Sequence, residues 1–388
     1  MSDEVRIGVI GVGNMGMVHA DYLLKGSIKG AVLTAILEKR TSRIDEISHH
    51  FDGKNVNVFS DENAFFESGT VDAVIIATPH YSHPSLAIRA FEHGIHVLVE
   101  KPAGVYTKQV REMNEEAQKH QLVFSIMYNQ RMNPIYQKLR ELIQDGELGG
   151  IRRINWIITD WYRTQSYYDS SSWRATWEGE GGGVLINQCP HQLDLMYWLT
   201  GQLPERIRAF CHFGKYRDIE VEDDVTAYAE YENGATAVFV TTTGEAPGTN
   251  RLEITGENGK VVVENNKLSF WRLRMSEPEF NQSYTGGFGA PETWKCEIPI
   301  EGPNTGHAGI TQNFIEAILH QKSLVAPGEQ GINGLTLSNA MQLSTWIDNW
   351  VSLPLDEDLY LEHLNTRKDQ STVKKSVVEK SLDVKGTH

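Results

Sequence analysis

Three glycines stand in the pattern G-x-G-x-x-G within Gly11-Val12-Gly13-Asn14-Met15-Gly16. The chemistry this spacing serves is pyrophosphate binding. The first glycine permits a tight turn, the second lets the backbone approach the phosphates, and the third lets a helix pack close to the strand before it. Asn14 and Met15 fall inside the same turn and count with it as cofactor contacts. The pattern gains weight from its setting, because Val5-Ile10 ahead of it reads as an apolar strand and Met15-Lys25 after it as a helix. Glu38 ends the second strand pattern, where a carboxylate hydrogen-bonds ribose hydroxyls and repels a 2′-phosphate; NAD is the expected cofactor. Lys39 and Arg40 beside it could pair with a 2′-phosphate if Glu38 swung aside, which keeps NADP as the alternative.

A second group of polar residues follows the fourth strand pattern: Thr78, Pro79, His80 and His83. They fall at the carboxyl edge of a parallel sheet, where a dinucleotide crosses, so contacts to the ribose or nicotinamide are expected. Tyr128-Asn129-Gln130-Arg131 follows the sixth pattern, and Arg131 reads equally well as a salt bridge at a domain junction. Further on, His191 and Asp194 are three apart and share a face if their helix runs to Gly201, which reads as its stop.

The elements that must position these residues alternate over the first third of the chain. Val5-Ile10, Ala31-Leu37, Val56-Phe59, Ala73-Ala77, His96-Val99 and Val123-Met127 are apolar, β-branched runs. Helical patterns lie near Met15-Lys25, Ser42-Phe51, Pro84-Glu92 and Lys108-His120, as in βαβ units around a buried parallel sheet. Beyond a helix at Pro134-Gln144 the strands alternate: Ile151-Trp161, Val225-Tyr231, Thr236-Thr242, Leu252-Thr255, Val261-Glu264 and Leu268-Leu273. An Asn258-Gly259 turn is expected within the hairpin between Leu252-Thr255 and Val261-Glu264. Helices follow at His307-Gln321 and Leu335-Val351. The fold class is therefore α/β, an N-terminal Rossmann doubly wound parallel sheet and a C-terminal α+β domain with a large, mostly antiparallel open sheet. Residues 1–127 form the dinucleotide-binding domain, 128–366 the substrate-binding and oligomerisation domain, and 367–388 a loosely held polar tail.

The net charge of -15 disfavours nucleic acid and anionic membrane as partners, and no apolar run nears the ~20 residues of a membrane span. Cys189, Cys211 and Cys296 are odd in number and scattered, which argues against a disulfide framework or a zinc site; no metal is expected. The start, Met-Ser-Asp-Glu, runs straight into a strand pattern with no room for a secretory segment, so a cytoplasmic location is expected. An open antiparallel sheet needs a cover, which points to a homodimer or homotetramer through that sheet.

Ala77-Thr78-Pro79-His80-Tyr81-Ser82-His83-Pro84, then Gly94-Ile95-His96-Val97-Leu98-Val99-Glu100-Lys101-Pro102, resembles the signature of the Gfo/Idh/MocA family of sugar and polyol dehydrogenases. Gly181-Gly182-Gly183-Val184-Leu185, followed by His191 and Asp194, resembles that family's second-domain motif. The resemblance implies that Lys101 is the catalytic lysine, that Pro102 follows a cis peptide, that His191 is the acid/base, and that Glu100 and Asn129 lie by the cofactor. Oxidising a secondary alcohol removes a proton and a hydride, so a group titrating near pH 6.5 and a fixed positive donor suit the work. This sequence departs from the family at Asn187, where many members carry aspartate. Asparagine can orient the substrate hydroxyl or Lys101 but takes no proton; it could also cap the next helix, with Pro190 third in it. Asp194 could orient His191 or contact sugar hydroxyls. Between Trp161 and Trp177, aromatic residues and arginines suit a sugar ring, Tyr168 and Arg174 foremost. The implied activity is NAD(P)-dependent oxidation of a ring hydroxyl of a sugar, inositol-like polyol or glycoside. Two alternatives are a redox-neutral NAD-dependent glycosidase and a non-enzymatic nucleotide-dependent regulator.

Overall fold

In the computed structural model, which describes residues 4–372, six parallel strands form the first sheet. They are β1 (Val5–Ile10), β2 (Ala31–Leu37), β3 (Asn57–Phe59), β4 (Ala73–Ile76), β5 (His96–Val99) and β6 (Phe124–Ile126). Their order, β3-β2-β1-β4-β5-β6, is that of a dinucleotide-binding fold. Every residue of β4 is buried, which is why its sequence is a continuous apolar run without alternation. The crossovers carry α1 (Asn14–Leu24), α2 (Thr41–Phe51), α3 (Glu62–Glu67), α4 (His83–Glu92) and α5 (Thr107–His120). Of these only α3 has no counterpart in the sequence reading; Asp61 caps it by accepting from the Ala64 amide.

The second half begins with α6 (Pro134–Gln144), capped by the Asn133 side chain, then β7 (Ile151–Ile158), α7 (Gln165–Tyr168) and α8 (Pro190–Thr200). Next come β8 (Arg206–Phe213), β9 (Glu222–Glu230), β10 (Thr236–Thr242), β11 (Asn250–Gly256), β12 (Gly259–Glu264), β13 (Lys267–Leu273), α9 (Glu277–Ser283) and β14 (Thr293–Cys296). The described chain closes with α10 (Gly306–His320), α11 (Gly331–Trp346), β15 (Val351–Ser352) and α12 (Glu357–Asp369). Nine strands make one sheet in the order β14-β13-β12-β11-β7-β10-β9-β8-β15, antiparallel except where β7 meets β10. Helices α8 and α11 pack together, with α11 against β8. The alternate residues Ile157, Phe210 and Tyr228 are exposed.

Four local expectations are corrected. Gly256 pairs with Gly259 across the hairpin, so the turn residues are Glu257 and Asn258, and Gly259 is a strand residue at φ +152°. Helix α8 is preceded by Cys189, with Pro190 first in it; Asn187 lies in the turn before, closed by its amide on the Gly183 carbonyl at 3.0 Å. Its far end stops at Gly201 as expected, at φ +72°. Helix α11 ends at Trp346, short of the expected Val351. Arg367 to Asp369 belong to α12, so the chain is helical where the tail was expected to begin; residues 373–388 lie outside the described residues. Among the described residues no helix is long and apolar enough to cross a membrane, and no group of three His, Cys, Asp or Glu side chains could hold a metal ion.

Candidate active site

The glycine turn joins β1 to α1. Gly11 sits at φ +83°, and a Cβ on Gly16 would stand 1.9 Å from the Gly11 carbonyl oxygen, so the turn closes only with glycine at both places. A Cβ on Gly13 would meet nothing within 4 Å: that side of the turn is open, as a pyrophosphate against the α1 amides requires. Glu38 is buried at the end of β2. Burial pushes its carboxyl up, but hydrogen bonds from the Arg40 side chain and backbone outweigh this and hold it below the usual range. Arg40 reaches it at 2.6 and 2.9 Å, and Lys39 is 2.7 Å from Glu62. Both cations counted for NADP are thus engaged by carboxylates. Arg43, unnoticed in the sequence, donates to the Val12 carbonyl at 2.9 Å and braces the turn.

Lys101 follows β5, with a cis bond to Pro102. Its Nζ donates to the Asn187 carbonyl at 2.8 Å, joining the two halves of the chain at the carboxyl edge of the first sheet. Burial lowers the Lys101 pKa; Glu100 opposes this, while Arg174 and Arg163 add to it. The Glu100 carboxylate, expected by the cofactor, is 2.6 Å from His19 Nε2 and accepts from the Lys101 amide. Burial raises its pKa, but the His19 contact prevails and holds it at about 2. His83 likewise turns inward, its two ring nitrogens at 2.8 and 2.7 Å from the Pro102 and Thr78 carbonyls. It ties the loop after β4 to the loop after β5. His80 is buried beside it, 3.2 Å from the Glu180 carbonyl and edge-on to Trp173.

Opposite lies the glycine run before α8. Gly183 is required because a Cβ would come 2.0 Å from the Glu222 carbonyl oxygen. The Glu222 side chain accepts from the Gly183 and Leu185 amides at 2.9 and 3.2 Å, and burial raises its pKa to about 7. This clamp fixes the turn that presents Asn187, whose Nδ2 donates to Glu180. Arg174 donates to the Tyr167 hydroxyl at 2.7 Å and stacks over the Tyr167 and Trp173 rings. Tyr168 is in the core, 2% exposed, its hydroxyl on Thr243; Tyr167, ranked behind it among the aromatic residues of this segment, is the tyrosine beside Arg174.

His191 lies in the first turn of α8, buried, its ring 6.3 Å from that of Tyr128 after β6. Both Asp194 oxygens receive Arg131, at 2.6 and 2.9 Å, and the two side chains are 1% and 0% exposed. The junction salt bridge is what this pair forms. Asn129 is buried with Nδ2 3.4 Å from His307 Nδ1 and no partner for Oδ1, the kind of orphaned acceptor a nicotinamide carboxamide satisfies. His307 opens α10, and burial lowers its pKa to about 4. Of the residues missed by sequence, Glu180 had a signal in directly preceding the glycine run; His19, His307 and Glu222 had none.

The model of the oxidoreductase family's NAD-binding Rossmann fold matches residues 5–128, and that of the GFO/IDH/MocA C-terminal domain matches residues 136–262. The rhizopine catabolism protein MocA of Rhizobium meliloti is 30% identical over 205 residues, 52% of this chain; the match spans only 59% of that relative's own length. The myo-inositol 2-dehydrogenase of Thermotoga maritima is 25% identical, covering 67% of this chain and 75% of that one. Among solved structures, the WlbA dehydrogenase from Chromobactrium violaceum, in complex with NADH and UDP-GlcNAcA, is 26% identical. It superposes with a TM-score of 0.77 over 91% of this chain and 97% of that one.

Proposed function

This chain belongs to the Gfo/Idh/MocA oxidoreductase family, and from that premise we propose that it oxidises a secondary ring hydroxyl of a sugar or inositol-like polyol to the ketone. The observation that carries this reading is the Lys101 Nζ held at 2.8 Å on Asn187, which brings the loop after β5 against the segment leading to His191. The turn Gly11–Gly16 with Glu38 would hold the dinucleotide, and Asn129 its nicotinamide end. Bound NAD supplies the acceptor for the hydride that leaves the carbinol carbon. Lys101 hydrogen-bonds the hydroxyl oxygen and stabilises the developing alkoxide, in a pocket that Arg163 and Arg174 make more positive. His191 takes the hydroxyl proton as the C=O bond forms. Arg174 and Tyr167 offer a guanidinium and a ring to the sugar.

Within this reading, residues 1–127 hold most of the dinucleotide and lend Lys101 to the substrate, while 128–366 hold most of the substrate and lend Asn129 to the nicotinamide. The exposed Ile157, Phe210 and Tyr228 support a homodimer or homotetramer through the nine-stranded sheet. Free cysteines and an acidic balance fit a reducing, cytoplasmic setting. The test is a screen of aldoses, inositols, amino sugars and glycosides with NAD and NADP, followed at 340 nm. Lys101→Ala and His191→Ala should each abolish turnover with NADH affinity nearly intact. Cleavage of a glycoside with flat absorbance, or activity retained in both variants, overturns the reading.

A further inference from the structure

We propose that Glu180 supplies the negative charge that an aspartate at residue 187 would carry, acting as a positioning residue that turns the Asn187 amide into a fixed hydrogen-bond acceptor for substrate. The inference rests on the alcohol-oxidation reading above. Glu180 is 1% exposed, and a carboxylate so buried is tolerated only where hydrogen bonds and charge compensate it. Its Oε2 accepts from the Ala175 amide at 2.6 Å, its Oε1 accepts from Asn187 Nδ2, and the Arg174 guanidinium lies 3.9 Å from Oε1. Its own carbonyl meets His80 at 3.2 Å. Glu180 therefore touches the loop after β4, the Arg174 segment and residue 187 at once.

The chemistry follows from the two ends of an asparagine amide. One end only donates and the other only accepts, whereas an ionised carboxylate only accepts. Glu180 therefore binds the NH2 end, which leaves Asn187 Oδ1 as the acceptor at the other end. The main-chain carbonyl of the same residue already receives Lys101 Nζ. Residue 187 thus offers an acceptor, as aspartate would, while the charge sits one side chain further back, beside Arg174. A purely structural Glu180, holding the turn at Ala175 (φ +55°), would matter to stability alone.

The test uses Glu180→Gln, Asn187→Asp and the double variant of the full chain, with myo-inositol and NAD followed at 340 nm across pH 6–10. NADH binding by fluorescence and Tm against pH are measured alongside. Glutamine can offer either end of its amide, so E180Q should lower kcat about tenfold, with NADH affinity within about twofold of the parent. N187D sets two carboxylates in contact, so one holds its proton into a higher pH range: kcat/KM should gain an extra titration, and Tm should fall as pH rises. In E180Q/N187D the amide and carboxylate have exchanged places, and kcat should return to within about threefold of the parent with the parental pH profile. A parental kcat and pH profile in E180Q, or a double variant whose loss is the product of the single losses, overturns the proposal. If the parent does not oxidise myo-inositol, that failure counts against myo-inositol as substrate and not against Glu180, and the same cycle is read with the sugar or polyol that the screen above identifies. Recovery of kcat in the double variant supports the exchange, and additive losses of kcat, or a cycle seen in Tm alone, refute it.

Discussion

Asp194→Asn separates two roles for a residue that the sequence offers as a sugar contact. Its carboxylate meets Arg131 through two hydrogen bonds of 2.6 and 2.9 Å, and neither side chain reaches solvent. Removing the charge leaves a buried guanidinium without its counter-ion, a loss of about 3–5 kcal/mol. Arg131 keeps bonds to the Val325 carbonyl at 3.0 Å and Gln330 at 2.6 Å, and lies over the Tyr128 and Trp198 rings. Asparagine also keeps one acceptor, so D194N should fall near the lower end, about 3 kcal/mol. Urea unfolding followed by tryptophan fluorescence would show it as a lower midpoint with an unchanged slope. The paired replacement R131M/D194L should recover most of the loss, because it removes both charges and keeps the volume. A D194N protein within about 1 kcal/mol of the parent, with a raised KM for the polyol, would refute this reasoning and restore the substrate role.

Glu222 sets a pH dependence of stability. Its carboxyl titrates at about 7 when folded, because burial raises it, and near 4.5 when unfolded. The folded state therefore holds the extra proton, and stability falls as pH rises from about 4.5 through 7, by about 3 kcal/mol from this group. Glu222→Gln should flatten that decline in Tm measured between pH 5 and 8; an unchanged slope would count against the clamp. At the cofactor end, Glu38→Ala removes a charged acceptor worth about 1.5–3 kcal/mol, so the Kd for NAD should rise about 10- to 100-fold. The same change frees Arg40 and should narrow the preference for NAD over NADP, which titration with both dinucleotides would reveal.

What could be read from the sequence is what neighbours in the chain decide. Strands β1, β2 and β5 have the predicted bounds because they are buried and apolar at most steps, Arg6, Thr34 and His96 being the polar exceptions, with Gly11 or Glu38 marking where that environment ends. The glycine turn was legible because the positive φ of Gly11 and the approach of Gly16 to the Gly11 carbonyl arise within six residues. The roles of Lys101 and His191 were visible only through motif resemblance, and the bond from Lys101 to Asn187, four residues before His191, required the fold. The partners of Asp194, Glu100 and Asn187 were decided by the tertiary structure. Arg131 lies 63 positions from Asp194, His19 lies 81 from Glu100, and Lys101 lies 86 from Asn187. No local spacing marks such pairs. A buried charge takes whichever counter-charge the packing brings within reach, and that is settled only when β5, β6 and α8 meet.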